Sequence, residues 1–242
     1  MKRCLFSLIV LVLFIHCKSI SVHQKPQLIT ETPVALGSIG LIEDNILNKH
    51  FEGVSVPVFS EPLPLNVQSA EFNKQTFKAF AKANSVKKKI AISFEDSLQV
   101  KPQYVQLQLS DRVSVLNQLN DSRNAGVRSY LENKEDAQLV TSITIAFTEE
   151  NLQKIAAAEE VFLIQSSSKK FSLQLKNQAG TTEQIQFSDG IIFAYRLSGF
   201  CWKENEKHRL VIGDIISSTE SCPRNTYKKA SKVIQKEDYF KI

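Results

Sequence analysis

Cysteine, histidine and neighbouring carboxylates are the side chains of this 242-residue chain that could do chemistry. A thiolate can bind metal, attack a carbonyl, accept a lipid or pair with a second thiol; an imidazole can bind metal or carry a proton. Spacing decides among these. Cys4, Cys17, Cys201 and Cys222 form no Cys-x-x-Cys, and His16, His23, His50 and His208 form no His-x-x-x-His or His-Glu-x-x-His, so no zinc site is expected. Glu95-Asp96, Glu149-Glu150 and Glu159-Glu160 are adjacent carboxylates, which on a strand or helix point apart rather than converge on one bond. A two-carboxylate hydrolase would have to bring distant residues together by folding. Gly37-Ser38-Ile39-Gly40 is not a phosphate loop, and no Gly-x-Ser-x-Gly elbow occurs. No catalytic residue, metal or cofactor is therefore assigned.

The N-terminus carries a clearer chemical instruction. Lys2 and Arg3 precede an apolar run over residues 5–15, interrupted only by Ser7. That is the layout of an export signal, and the run falls short of the roughly 20 residues a spanning helix needs. Leu13-Phe14-Ile15-His16-Cys17 closes the run and resembles the lipobox of bacterial lipoproteins, with His16 where that family usually has Gly, Ala or Ser. Such looseness is familiar in lipoproteins of the Bacteroidota, and Lys18-Ser19 also looks like that group. The resemblance implies cleavage after residue 16 and a diacylglycerol thioether on Cys17. Two or more acyl chains then anchor the protein stably, where one would not. Surface-exported members commonly carry acids soon after the cysteine, whereas none precedes Glu31 here; the resemblance thus implies an outer-membrane protein facing the periplasm. Ordinary secretory cleavage, giving a soluble domain, and an uncleaved anchor are the alternatives.

Export also assigns the other cysteines. Cys4 departs with the signal, and Cys201 and Cys222 remain as a pair suited to one disulfide in an oxidising compartment. Formal charge falls from +5 once Lys2 and Arg3 are removed, leaving 28 basic against 25 acidic residues. That near balance gives no reason to expect nucleic acid as a partner. The excess sits in a basic tail over 223–242, read as a solvated end. The chain's one tryptophan lies in Gly199-Phe200-Cys201-Trp202. Trp202 can cover the bridge as packing; alternatively Tyr195, Phe200 and Trp202 form an aromatic binding surface for a glycan or partner.

The elements that would position these residues follow from periodicity. Residues 1–16 are the signal, 17–33 the lipidated cysteine and a polar, flexible tether, which as a coil would hold the domain roughly 20 to 25 Å from the membrane. Residues 34–242 are one α+β domain. Its first part, 34–67, carries Gly and Pro at turn spacing and reads as an extended arm. Ser69 is expected to cap a helix to about Asn84, with Phe72, Phe77, Phe80 and Ala81 as its apolar stripe. A strand is expected over 90–94, and alternation gives another over 104–109. Asp111 and Asp121 are expected to cap helical segments, the first bearing Val113, Leu116 and Leu119; Thr148 caps a third helix with Glu149 and Glu150 in its first turn. Strands over 139–147, 161–165, 171–175, 184–187, 191–197 and 210–216 follow, joined by short links. The fold class is α+β, a mainly antiparallel sheet of about seven or eight strands with about three helices.

Taken together, these readings describe a non-catalytic envelope lipoprotein, a binding or assembly accessory module with an envelope protein as partner. A lipid-anchored hydrolase acting on glycan through two carboxylates is one alternative, and a soluble secreted domain is another.

Overall fold

The computed structural model describes residues 19–44, 49–87, 90–166 and 169–234. The signal, Cys17, Lys88-Lys89 and the end of the basic tail lie outside these residues.

The chain is α+β, mostly antiparallel sheet. Among the described residues it forms twelve strands and five helices, more of both than periodicity predicts. In order these are β1 (Ser19–Val22), β2 (Lys25–Ile29), β3 (Ile39–Asp44), β4 (Lys49–Ser55), β5 (Leu63–Glu71), α1 (Lys74–Lys87), β6 (Gln103–Leu109), α2 (Arg112–Asn120), α3 (Ala125–Glu132), β7 (Gln138–Ala146), α4 (Glu149–Ala157), β8 (Glu160–Gln165), β9 (Phe171–Lys176), β10 (Thr182–Gln186), β11 (Ile191–Glu204), β12 (Leu210–Ser217) and α5 (Ala230–Ile234). The pairing order is β1-β2-β11-β7-β6-β5-β8-β9-β10; β12 adds to β11, and the β3–β4 hairpin joins β7 at Ile39 and Gly40.

The expected tether is instead the first hairpin of the sheet. Ser19 pairs with Leu28 and Val22 with Lys25, and β2 lies on β11 through Leu28 and Ile29. Ile20 and Val22 explain the ordering: both are buried in the cluster under α1. The two turn residues, His23 and Gln24, have φ of 47° and 63°. Both central φ values are positive, as a type I′ turn requires, but neither residue is the Asn or Gly that signals one. The expected arm over 34–67 likewise holds β3, β4 and the first five residues of β5, and residues 90–94 form no strand. Phe94 stacks on Phe77 of α1 at 5.0 Å instead.

Helix α1 is capped by Asn73, four residues beyond the expected cap. Asn73 Oδ1 accepts from the amides of Gln75 and Thr76, and Thr76 Oγ1 accepts from the Asn73 amide. That is a capping box with threonine as its return partner. Phe72 precedes the cap and meets Phe77 edge-on at 5.9 Å, a hydrophobic staple rather than a helical stripe residue. Asp111 caps α2 as expected, accepting from the Ser114 amide, but Val115 and Leu119 are buried and Val113 is 66% exposed. Asp121 caps a single 3₁₀ turn ahead of α3.

The central strands carry a core on each face. Val105, Leu107, Ile143 and Ile145 pack with β8 to β10 and with Val115, Leu119 and Leu131 of α2 and α3. On the opposite side α1 lays Phe80 and Ala83 over Tyr104, Ala146 and Phe193. Strand β11 runs through the middle of both. Irregular pairing at Ile192/Ala194, Arg196/Leu197 and Cys201/Trp202 bends it, so that one long strand serves β7, β2 and β12 in turn.

Candidate functional site

The helix covers β11 only as far as Ala194. Beyond it the same side of the sheet becomes polar, because Gln106 faces Thr144, Gln108 faces Ser142, and Ser142 faces Arg196 across neighbouring strands. Thr144 Oγ1 donates to Gln27 Oε1 at 2.6 Å. Gln27 Nε2, Gln106 Oε1 and Ser142 Oγ are buried with no hydrogen-bond partner among the described residues. Each such group costs about 1–3 kcal/mol, so packing alone does not account for this seam.

The seam opens into a cavity of about 390 Å³. Its apolar floor includes Leu139, Leu197 and Ile215; its walls carry Gln108, Thr141, Ser198 and the loop over 217–220. Three cations, Lys25, Arg112 and Arg196, line it against one carboxylate, Glu220. Arg112 contacts Asp214 at 3.3 Å. Glu220 is held below the usual carboxylate range, first by the backbone amide of Ser217 at 2.9 Å and further by Arg112 and Arg196. Burial acts on Arg196 in the opposite sense, penalising its charge and lowering its pKa, while Glu220 offsets part of that. Among the described residues, the Arg196 side chain makes no hydrogen bond and no ion pair within 4 Å. Arg196 is thus a half-buried guanidinium, a planar group with N–H donors suited to carboxylate or phosphate oxygens.

The disulfide lies just beyond the 217–220 loop in the chain. Cys201 and Cys222 are bonded with their Cα atoms 5.7 Å apart. Glu220 lies two residues before Cys222, so the bridge ties the 217–220 loop to β11. Trp202 exchanges backbone hydrogen bonds with Tyr227 at 2.7 and 2.8 Å, which closes the same segment from the other side.

The expected aromatic surface is overturned. Tyr195, Phe200 and Trp202 are 3, 7 and 3% exposed and belong to the main core, since a strand paired on both edges and covered on both faces leaves no platform. Burial alone pushes the Tyr195 hydroxyl up to about 12. Arg196, between buried Tyr195 and Leu197, was missed by motif reasoning; its signal was the one cation within the apolar run over 191–197. Cys17 lies outside the described residues.

The carboxylate pairs serve as local charges. Asp96 is held by Lys74 at 2.9 Å, Glu150 by Lys154 at 3.0 Å and Glu160 by Lys176 at 2.6 Å. Glu159 and Glu160 do line a second cavity, beside β5, but they are consecutive residues at the start of β8. Glu43 and Glu52 share a hydrogen bond that raises the Glu52 pKa, on the exposed β3–β4 hairpin next to His50. Gly37, with φ of +82°, turns the chain into β3. Among the described residues no three of His, Cys, Asp and Glu gather closely enough to hold a metal. No helix among them is long and apolar enough to cross a membrane. No family model, curated protein or solved structure matches this chain.

Proposed function

We propose that the protein is a lipid-anchored, non-catalytic binding module of the cell envelope, held at the outer membrane by Cys17 and facing the periplasm. Its cavity receives an anionic group, a carboxylate or phosphate, presented by an envelope partner. One observation supports the binding half of this reading: Arg196, half-buried and without an ion pair within 4 Å among the described residues, lines a cavity whose carboxylate is held by the Ser217 amide. The export half rests on the lipobox-like ending at Cys17, with the Cys201–Cys222 bridge as its companion.

The glycan-hydrolase alternative needs two carboxylates facing each other across a bond. The first cavity is lined by one, Glu220, and the pair at the second, Glu159 and Glu160, is adjacent in sequence at one edge of its cavity and does not face itself across a bond.

Inorganic phosphate is the test ligand. At matched ionic strength it should raise the thermal midpoint of the parent protein well beyond chloride, since a ligand of the folded state adds stability by mass action. Arg196→Gln should weaken phosphate binding about tenfold or more, as expected for losing a charged hydrogen-bonding group. Equal phosphate effects on both proteins, or none on the parent, would remove the cavity from the account.

A further inference from the structure

Helix α1 contains four lysines and no acidic residue. Lys74, Lys78 and Lys82 follow one another at four-residue spacing and form a single stripe, an arrangement that disfavours an isolated helix. The opposite side of α1, with Thr76, Ala79, Phe80 and Ala83, is buried on the sheet, so the stripe faces outward. Lys74 and Lys82 reach Asp96 and Glu31, yet stay 77 and 63% exposed, and Lys78 contacts no carboxylate among the described residues. Val86 continues the stripe at 68% exposure. The segment that Asp96 fastens to Lys74 adds Leu98 and Val100, 39 and 84% exposed. Cations interleaved with bare apolar side chains are the composition of a surface that meets lipid headgroups.

The start of the described chain lies beside this stripe. Ser19 is paired with Leu28, three residues before Glu31, whose carboxylate contacts Lys82 at 2.5 Å. Ile20 and Val22 share the buried cluster of Ala79, Phe80 and Ala83. Cys17 precedes Ser19 by two residues, a covalent reach of about 7 Å. With the expected tether folded into β1 and β2, an acylated Cys17 leaves the domain no room to stand off from the bilayer.

We propose that the α1 stripe, with Val86, Leu98 and Val100, rests on the anionic phospholipid headgroups of the membrane that holds Cys17. This orientation depends on the anchor reading. It sets the Arg196 cavity beside the bilayer contact and not under it, because Lys25 lines the cavity from the opposite end of the β1–β2 hairpin to Ser19, roughly 10 Å along the strand. Each lysine at an anionic surface strengthens contact about fivefold.

The test uses the full lipidated chain. Acylation occupies Cys17 and the disulfide occupies Cys201 and Cys222, so Lys78→Cys and Ser218→Cys each supply a single labelling site after signal removal. A fluorophore at each is read in vesicles of phosphatidylcholine and phosphatidylglycerol carrying a headgroup quencher. Most emission should be lost at position 78 and little at position 218, and Lys74→Glu with Lys82→Glu should restore emission at 78. Equal quenching at both positions, or stronger quenching at 218, with acylated Cys17 confirmed by mass, would overturn the orientation alone. Protein found outside the membrane fraction with an unmodified Cys17 would overturn the anchor and the orientation together.

Discussion

Phe193→Ala is expected to destabilise the domain by about 4 kcal/mol, within the 3–5 typical of a buried phenylalanine. Phe193 is fully buried, and its ring lies 5.8 Å from Phe72, 5.3 Å from Tyr104 and 6.2 Å from Phe80. It is where β11, β6, the staple of α1 and the helix itself meet. Relaxation cannot fill the hole cheaply, because these neighbours are fixed by the strand register and by the capping box at Asn73. A loss of about 4 kcal/mol is a large part of the 5–15 that a domain usually possesses. The urea midpoint should fall sharply at unchanged slope, while Val113→Ala, at a 66% exposed position, should move it little. A shift for Phe193→Ala below about 1 kcal/mol would mean that α1 does not pack on β11 as described.

The second large effect concerns the bridge. Cys201→Ala with Cys222→Ser should cost about 3 kcal/mol, the chain-entropy value for the 21-residue separation of the bonded cysteines. Alanine is chosen at the fully buried Cys201, where a hydroxyl would add an unsatisfied polar group. The same change should leave phosphate binding in place, because Ser217 still pairs with Ser198 of β11 and its amide still holds Glu220. The parent in reductant should behave like the double variant in both respects. An unchanged midpoint under reduction would show that the bridge adds nothing to the fold.

Much of the architecture is legible in the sequence. Strands β6 to β12 announce themselves by alternation or β-branched runs, and Asp111 was a visible cap because its side chain satisfies an amide three residues on. The first five strands were hidden for identifiable reasons. His23-Gln24 makes a tight turn without turn residues, and Pro64 interrupts the pattern of β5 at the place where that strand passes from β8 to β6. Phe72 looked like the first residue of a helical stripe, which drew the expected helix start back to Ser69. The site was the least legible part. Its cations come from β2, α2 and β11, and nothing local in the sequence links Lys25, Arg112 and Arg196. Tyr195, Phe200 and Trp202 drew attention by residue type, yet residue type alone does not tell a covered strand from an open one.

An apparent contradiction runs through the N-terminus: a polar, low-periodicity segment reads as a tether but folds as sheet. Two buried residues, Ile20 and Val22, are enough to settle it, since their partners under α1 would otherwise face water. If Cys17 is acylated as proposed, the leash is short, and anchoring then fixes orientation.

Everything said of the envelope therefore returns to one atom, Cys17 Sγ. The direct measurement is the mass of the N-terminal peptide of the native protein, extracted from membranes with detergent. A chain beginning at Cys17 and carrying a diacylglycerol thioether is the expected result. An unmodified Cys17 inside a longer peptide, or a mature chain that begins after it, would contradict the account.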